Sequence, residues 1–353
     1  MTRMPSRVVR PGRTGLWGAV VVAGATAVAT VTLGGTLDSR AAATPGAQQA
    51  DAGLTTTQLA ADLAAATRIT RVPADLEPPL AVAASAEPII VKNGCHLSRT
   101  GLRSKPCIYG DATSTTTVVL FGDSHAAYWF PALDLISRQQ HWRLVDLTKD
   151  GCPAAEVNIA AWFRHGGPYP ECTDWRATAM AQIAALHPAL VIATEARYVE
   201  EPEARPLAGV PTGHGSTWLN GLAAIFTFLN RHARHVVFMS DVPTPHQSAP
   251  GCVASHPSDV QTCNTQLSAA IRLRQVKIEE RQLAQREHID WIDPTSWFCT
   301  SRTCPAIVGN LLVYRNVAHI EPAWSRFISP VLARTVVPVL PPRRVPRTRH
   351  GFA

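Results

Sequence analysis

Residues 118–128 read VVLFGDSHAAY. The β-branched and apolar run stops at Gly122-Asp123-Ser124-His125, and Trp129, Leu133 and Ile136 follow at i, i+4 and i+7, the spacing of an amphipathic helix. The stretch predicts a buried strand, a tight turn and a helix. In a parallel sheet such a turn puts the Ser124 hydroxyl at the strand's carboxyl end, beside the positive end of the next helix, where an oxyanion is stabilised. Ser124 is thus a candidate nucleophile; its competing role is that of a helix N-cap.

Outward from this stretch, strands are expected at 116–122, 142–149, 190–194, 235–240 and 289–293, with helical patterns over 129–140, 173–187, 216–233, 262–287 and 324–336. The 216–233 pattern carries Leu219, Leu222, Phe226 and Leu229, a stripe suited to packing on a sheet. Strands alternating with helices imply a parallel sheet covered on both faces. The expected fold class is a single three-layer α/β/α domain with a central parallel sheet of about five strands. Two loops are long, 150–172 and 241–263, and loops at the carboxyl ends of such a sheet line the ligand cleft. They are the expected acceptor-recognition surface.

A chain of 353 residues with 46% hydrophobic content is long enough to bury a sizeable core. The formal charge of +7 suggests nucleic acid only until it is located. Arg3, Arg7, Arg10 and Arg13 precede residue 15, and Arg343, Arg344, Arg347 and Arg349 lie in the tail, so the body between them is close to neutral. No nucleic-acid partner is expected. Residues 15–37 are uncharged and follow the arginine cluster directly, the pattern of an export signal whose basic flank stays cytoplasmic. About 20 apolar residues can span a bilayer, while Ala41-Ala42-Ala43 offers a small-residue cleavage site. The segment reads as a signal-anchor or a signal peptide.

All eight cysteines lie after that segment, in four close pairs: Cys95 and Cys107, Cys152 and Cys172, Cys252 and Cys263, Cys299 and Cys304. Eight cysteines allow many connectivities, and spacing alone does not prove the sequential one. Each of these pairs would close a short loop of the kind kept in oxidising compartments. Clustered Cys-x-x-Cys spacing is absent, as are a phosphate-binding glycine loop and histidine-carboxylate ligand spacing, so no metal and no nucleotide cofactor are expected. The domain plan is a basic segment (1–14), the apolar segment (15–37), an Ala, Thr and Gln-rich linker (38–70), the folded domain (71–337) and a Pro/Arg-rich tail (338–353) that reads as a solvated end.

Gly122-Asp123-Ser124-His125-Ala126 resembles the first block of the SGNH (GDSL-like) hydrolase and acyltransferase superfamily, in the variant found at the carboxyl end of bacterial acyltransferase family 3 membrane proteins. Asn93-Gly94-Cys95, Cys107-Ile108-Tyr109-Gly110-Asp111, Leu147-Thr148-Lys149-Asp150-Gly151-Cys152-Pro153, Cys299 to Cys304-Pro305, Leu312-Val313-Tyr314-Arg315 and His319 resemble further blocks in order. The likeness runs from about residue 70 to about residue 335, and it is the ordered set that is specific. It implies a flavodoxin-like SGNH domain. A transmembrane helix directly precedes the domain in the resembling proteins, which favours the signal-anchor, with the domain extracytoplasmic; secretion after cleavage is the alternative.

The resemblance also implies site roles. Its base lies near the carboxyl end, three residues after an aspartate, and the matching string is Arg315-Asn316-Val317-Ala318-His319. His319 is the expected base, and Asn316 stands where the family carries Asp. His125 adjoins Ser124, but adjacent side chains project in different directions, so it is read as a wall or packing residue. The Ser124 N–H and Gly151 are expected oxyanion donors. The usual third block is replaced by Thr194-Glu195-Ala196-Arg197, which leaves Thr194 or Arg197 as a third donor. Two functions follow from the resemblance. One is an extracytoplasmic serine-dependent O-acyltransferase or esterase acting on acyl, chiefly acetyl, groups of a cell-envelope glycan or glycolipid, with a separately encoded multi-span membrane acyltransferase as partner. The other is a catalytically silent glycan-binding or accessory subunit, and Asn316 separates the two.

Overall fold

The computed structural model of the chain describes residues 53–196 and 216–340. Six strands form the main sheet: β1 (Ile108–Gly110), β2 (Thr117–Gly122), β3 (Arg143–Thr148), β4 (Leu190–Thr194), β5 (Val236–Met239) and β6 (Asp290–Ile292). The principal helices are α1 (Thr56–Ala66), α2 (Ser124–Gln139), α3 (Pro170–Leu186), α4 (Ser216–His232), α5 (Arg274–Arg286), α6 (Pro322–Phe327) and α7 (Ser329–Val336). The sheet order is β1-β3-β2-β4-β5-β6, parallel from β3 to β6. The order reverses beside β2, so its carboxyl end lies at the switch point where open α/β sheets bind ligands. The expected three-layer α/β/α class holds. What the sequence reading lacked is β1, a three-residue antiparallel edge strand on β3, too short for any alternation to show.

Alternate residues of each strand feed two cores. Val118, Leu120, Leu144, Leu190 and Ile192 pack with α1, α2, α6 and α7, while Val119, Phe121, Leu147, Val191 and Ala193 pack with α3, α4 and α5. This is the period-two division of a sheet buried on both faces.

Three element boundaries differ from the sequence reading. Residues 56–66, read as part of a linker, form α1: Thr55 and Gln58 make a capping box, and Leu59, Leu63 and Ala66 are buried. That i, i+4, i+7 stripe is masked by surrounding alanines. The 262–287 pattern is interrupted by a two-residue strand at Thr265–Gln266 and by Leu273 in the left-handed region (φ 46°); a single helical turn, Leu267–Ala270, lies between them, and the long helix begins at Arg274. The 324–336 pattern is two helices, because Pro330 lacks the N–H that a continuous helix needs and sits instead in the first turn of α7.

The long loops differ as well. Within 150–172, Cys152, Ala154, Ala155, Val157 and Ile159 are buried in the α3/α4 core, so this part of the loop is packing rather than open recognition surface. In 241–263, Ala249–Ser255 is helical, and its Cys252 and Val253 join the core on the α2 side. Among the described residues no helix is long and apolar enough to cross a membrane; the 15–37 segment and the tail beyond residue 340 lie outside the described residues.

All eight cysteines are bridged, in the sequential pairs Cys95–Cys107, Cys152–Cys172, Cys252–Cys263 and Cys299–Cys304.

Gly122 is the tightest point of the sheet. It has φ 147°, and a Cβ there would lie 2.0 Å from the Thr194 carbonyl oxygen, a backbone atom that cannot yield. Gly122→Ala is expected to cost more than ~4 kcal/mol, beyond the usual range of single substitutions. Gly151 also has positive φ (65°), but a Cβ there meets only the Tyr169 ring at 4.0 Å, so Gly151→Ala is expected to cost only ~1–2 kcal/mol of left-handed strain. Urea unfolding of the two variants checks the contrast.

Candidate active site

The turn after β2 places its residues by capping. Asp123, fully buried, is the N-cap of α2: its Oδ1 accepts from the His125 N–H at 2.8 Å and its Oδ2 from the Ala196 N–H at 2.9 Å. Ser124 is therefore the first helical residue and not the cap, and α2 starts five residues earlier than the hydrophobic stripe suggested. Its hydroxyl is left for other work, and its N–H is among the helix-start donors that have no intrahelical partner.

That hydroxyl meets His319. Ser124 Oγ lies 2.8 Å from His319 Nε2, and His319 Nδ1 lies 3.2 Å from Asn316 Oδ1. Asn316 Oδ1 also accepts from the Ala318 N–H at 2.9 Å and the His319 N–H at 2.7 Å. Two backbone donors thus fix the amide with its oxygen toward the ring, which puts the proton on Nδ1 and the lone pair on Nε2 toward Ser124. Burial, with His125, Arg315 and His96 adding to it, holds His319 well below the usual imidazole range. The ring is neutral at pH 7.

Tyr128 stacks on His319 with centroids 4.5 Å apart and an interplanar angle of 27°. Its hydroxyl accepts from Arg315 Nη1, and Arg315 Nη2 pairs with Glu87 Oε1 at 3.1 Å. The base is therefore clamped on its face by an aromatic ring and at its edge by an amide. Glu321, two residues beyond His319, does not supply the missing acid: it is the buried N-cap of α6, its Oε2 has no partner, and burial pushes its carboxyl up to about 7.

His125 does not bond Ser124, yet it is more than a wall. Its Nδ1 lies 2.6 Å from Asp241 Oδ1, just beyond β5, and its ring centroid is 5.2 Å from that of His319. The sequence reading missed Asp241, although an acid directly after the buried HVVFMS run, at the strand's carboxyl end, was the available signal.

Gly151 lies in the turn after β3, which the Lys149 N–H joins to the Gly122 carbonyl at 3.1 Å. The flanking Asp150 and Cys152 N–H groups bond the Leu97 and Lys149 carbonyls, whereas the Gly151 N–H meets no acceptor among the described residues. Lys149 is buried, and its ammonium donates to the Ser98, Arg99 and Gly101 carbonyls at 2.7, 2.9 and 2.6 Å, fastening the 98–101 loop beside the turn. Thr194 pairs in register with Gly122, and its buried Oγ1 has no partner. Arg197 lies outside the described residues. Buried Cys252 and Cys263 cluster with the exposed His256, but the two sulfurs are bridged to each other and are not free to ligate.

Residues 94–334 match the family model described as the SGNH domain fused to AT3 domains. Among solved structures, the chain is similar to the periplasmic domain of a lipopolysaccharide acetyltransferase from Salmonella ser. Paratyphi A, with 14% identity over 70% of this chain and 86% of that one and a TM-score of 0.49. It is also similar to a GDSL-like lipase from Bacteroides thetaiotaomicron VPI-5482 (10% identity, 64% and 90% covered, TM-score 0.39) and to Axe2, an acetylxylan esterase from Geobacillus stearothermophilus (12% identity, 64% and 95% covered, TM-score 0.34). No curated protein matches the chain.

Proposed function

Because the chain belongs to the SGNH family of domains fused to AT3 domains, we propose that it is a serine-dependent O-acyltransferase or esterase with Ser124 as nucleophile, His319 as base and Asn316 as the group that orients it. The observation that carries this reading is the 2.8 Å contact between Ser124 Oγ and His319 Nε2 at the carboxyl end of β2, made by residues far apart in sequence and held at both ends.

The chemistry is acyl transfer in two displacements. Ser124 Oγ attacks the acyl carbonyl as its proton passes to His319 Nε2, and the carbonyl electrons become an oxyanion facing the Ser124 and Gly151 N–H groups. Collapse expels the donor's alkoxy group, which takes the proton from His319, and leaves the acyl on Ser124. An acceptor hydroxyl, or water, then repeats the sequence in reverse. Thr194 Oγ1 is the third donor we propose for the oxyanion.

The substrate we propose is an acyl, chiefly acetyl, group on a cell-envelope glycan or glycolipid, and the compartment extracytoplasmic. Four disulfides support the compartment, as do the arginines ahead of the apolar 15–37 segment. A multi-span membrane acyltransferase is the partner we propose, in keeping with the fusion that the family's description records. Asn316 favours a second reading, a silent glycan-binding or accessory subunit. A fluorophosphonate probe separates the two, since it labels only an activated hydroxyl. Labelling at Ser124, located by peptide mass spectrometry, is expected; a folded protein left unlabelled would establish the silent reading.

A further inference from the structure

His96 is a buried imidazole that the chemistry above does not use. It follows Cys95, whose bridge to Cys107 and whose N–H bond to Asn93 Oδ1 at 3.1 Å fix the segment. Its Nδ1 lies 2.8 Å from Thr148 Oγ1, and the Thr148 hydroxyl donates onward to Asp146 Oδ1 at 3.0 Å. A hydroxyl has one proton. Since Thr148 gives it to Asp146, His96 must donate from Nδ1, which leaves Nε2 as a bare lone pair. Burial pushes Asp146 up to about 7, but its Oδ2 is the oxygen without a partner, so a proton can settle there while Oδ1 goes on accepting.

Register places this chain of groups beside Ser124. Thr148 pairs with Gly122, two residues ahead of the serine. Asp146 and Thr148 alternate with Val145 and Leu147, which belong to the α3/α4 core, so they face the side that carries α2 and its Ser124. Burial also pushes His96 down to about 4. An imidazole that stays neutral accepts rather than donates. Nε2 has no partner among the described residues and is not sealed from solvent, so a hydroxyl from outside can reach it.

We propose that His96 Nε2 receives the O–H of the alcohol acceptor, orienting a glycan hydroxyl for transfer from acylated Ser124. This rests on the function proposed above and adds a residue that chooses alcohol over water. His319, whose Nε2 contacts Ser124 Oγ, takes the proton; His96 only holds the hydroxyl.

The full chain carrying Ser124→Ala, with its histidines labelled with nitrogen-15, tests the binding without needing catalysis. His96 is assigned by difference against His96→Gln. The expected result is a neutral Nδ1–H tautomer that does not titrate between pH 8 and about 5, and an Nε2 resonance that shifts as methyl α-D-glucopyranoside is added. An Nε2–H tautomer, or an Nε2 resonance unmoved by the glucoside, overturns the proposal whether or not Ser124 reacts with the fluorophosphonate. With Ser124 intact and p-nitrophenyl acetate as donor, His96→Phe is expected to lower the ratio of transfer to the glucoside over hydrolysis about tenfold, the scale of one hydrogen bond. His96→Gln, which retains an acceptor, is expected to recover part of it. That ratio compares two fates of one acyl-enzyme, so lost stability does not move it. An unchanged ratio in His96→Phe assigns His96 to the loop's packing and ends the proposal, while probe labelling of Ser124 in the same sample shows that the proposed function stands.

Discussion

Ser124→Ala and His319→Ala are each expected to remove nearly all hydrolysis of a model acetyl ester, by about 10⁴-fold or more, and the double variant to lose little beyond either one. The two groups act on a single proton, so once either is gone the other has nothing to transfer. The residual rate belongs to the oxyanion donors and to substrate binding, which neither change touches. Steady-state rates with p-nitrophenyl acetate, on variants whose far-UV circular dichroism matches the parent, provide the check. His319→Ala retaining full activity would move the base to His125, which already has a carboxylate partner in Asp241 at 2.6 Å.

Asn316→Asp is expected to work in the opposite direction and raise turnover about 10- to 100-fold, or ~1.4–2.8 kcal/mol of barrier. In serine proteases the reverse change costs about 10⁴-fold, in large part through the wrong tautomer. Here the tautomer is already correct, because the Ala318 and His319 N–H groups hold the Asn316 oxygen on the ring. Only the missing charge remains to be gained. An Asp side chain would accept the same bonds, remain ionised and stabilise the imidazolium that forms in the transition state, so the gain belongs in kcat.

The pH profile follows the same logic. Burial and neighbouring cations favour neutral His319, so activity of the parent is expected to persist well below pH 6.5 before its acid limb falls. A carboxylate beside the ring favours the protonated form, and the limb of Asn316→Asp is expected to move up by about 1–3 pH units. A folded variant with neither a rate gain nor a shifted limb would mean that another acid already serves His319.

The fold was legible where the pattern is local. Five runs of apolar residues, separated by helical stripes, carry the parallel sheet and its two covering layers, and Gly122 to His125 mark the turn at its centre. Elements shorter than one period were not legible: β1 has three residues, and α1 hides its stripe of Leu59, Leu63 and Ala66 among alanines. For the site, Ser124 announces itself as a hydroxyl at a strand-helix junction. His319 and Asn316 do not, because only the closed fold brings them to Ser124; they were reached through family likeness rather than spacing. His125 was misjudged for a related reason. Adjacency correctly excluded a bond to Ser124, but the partner it has, Asp241, comes from a different strand end.

The four bridges have a consequence for how the chain matures. Each joins a cysteine to the very next one, across 12, 20, 11 and 5 positions. A polypeptide threading through a membrane in order would deliver both members of one pair before the next pair arrives, so every bond can be made correctly by an oxidant acting on whatever thiols are newest. With the export proposed above, no scrambled intermediate needs to be undone, and a dithiol isomerase is expected to be dispensable. Production in a compartment that oxidises but does not reshuffle is therefore expected to yield the native connectivity.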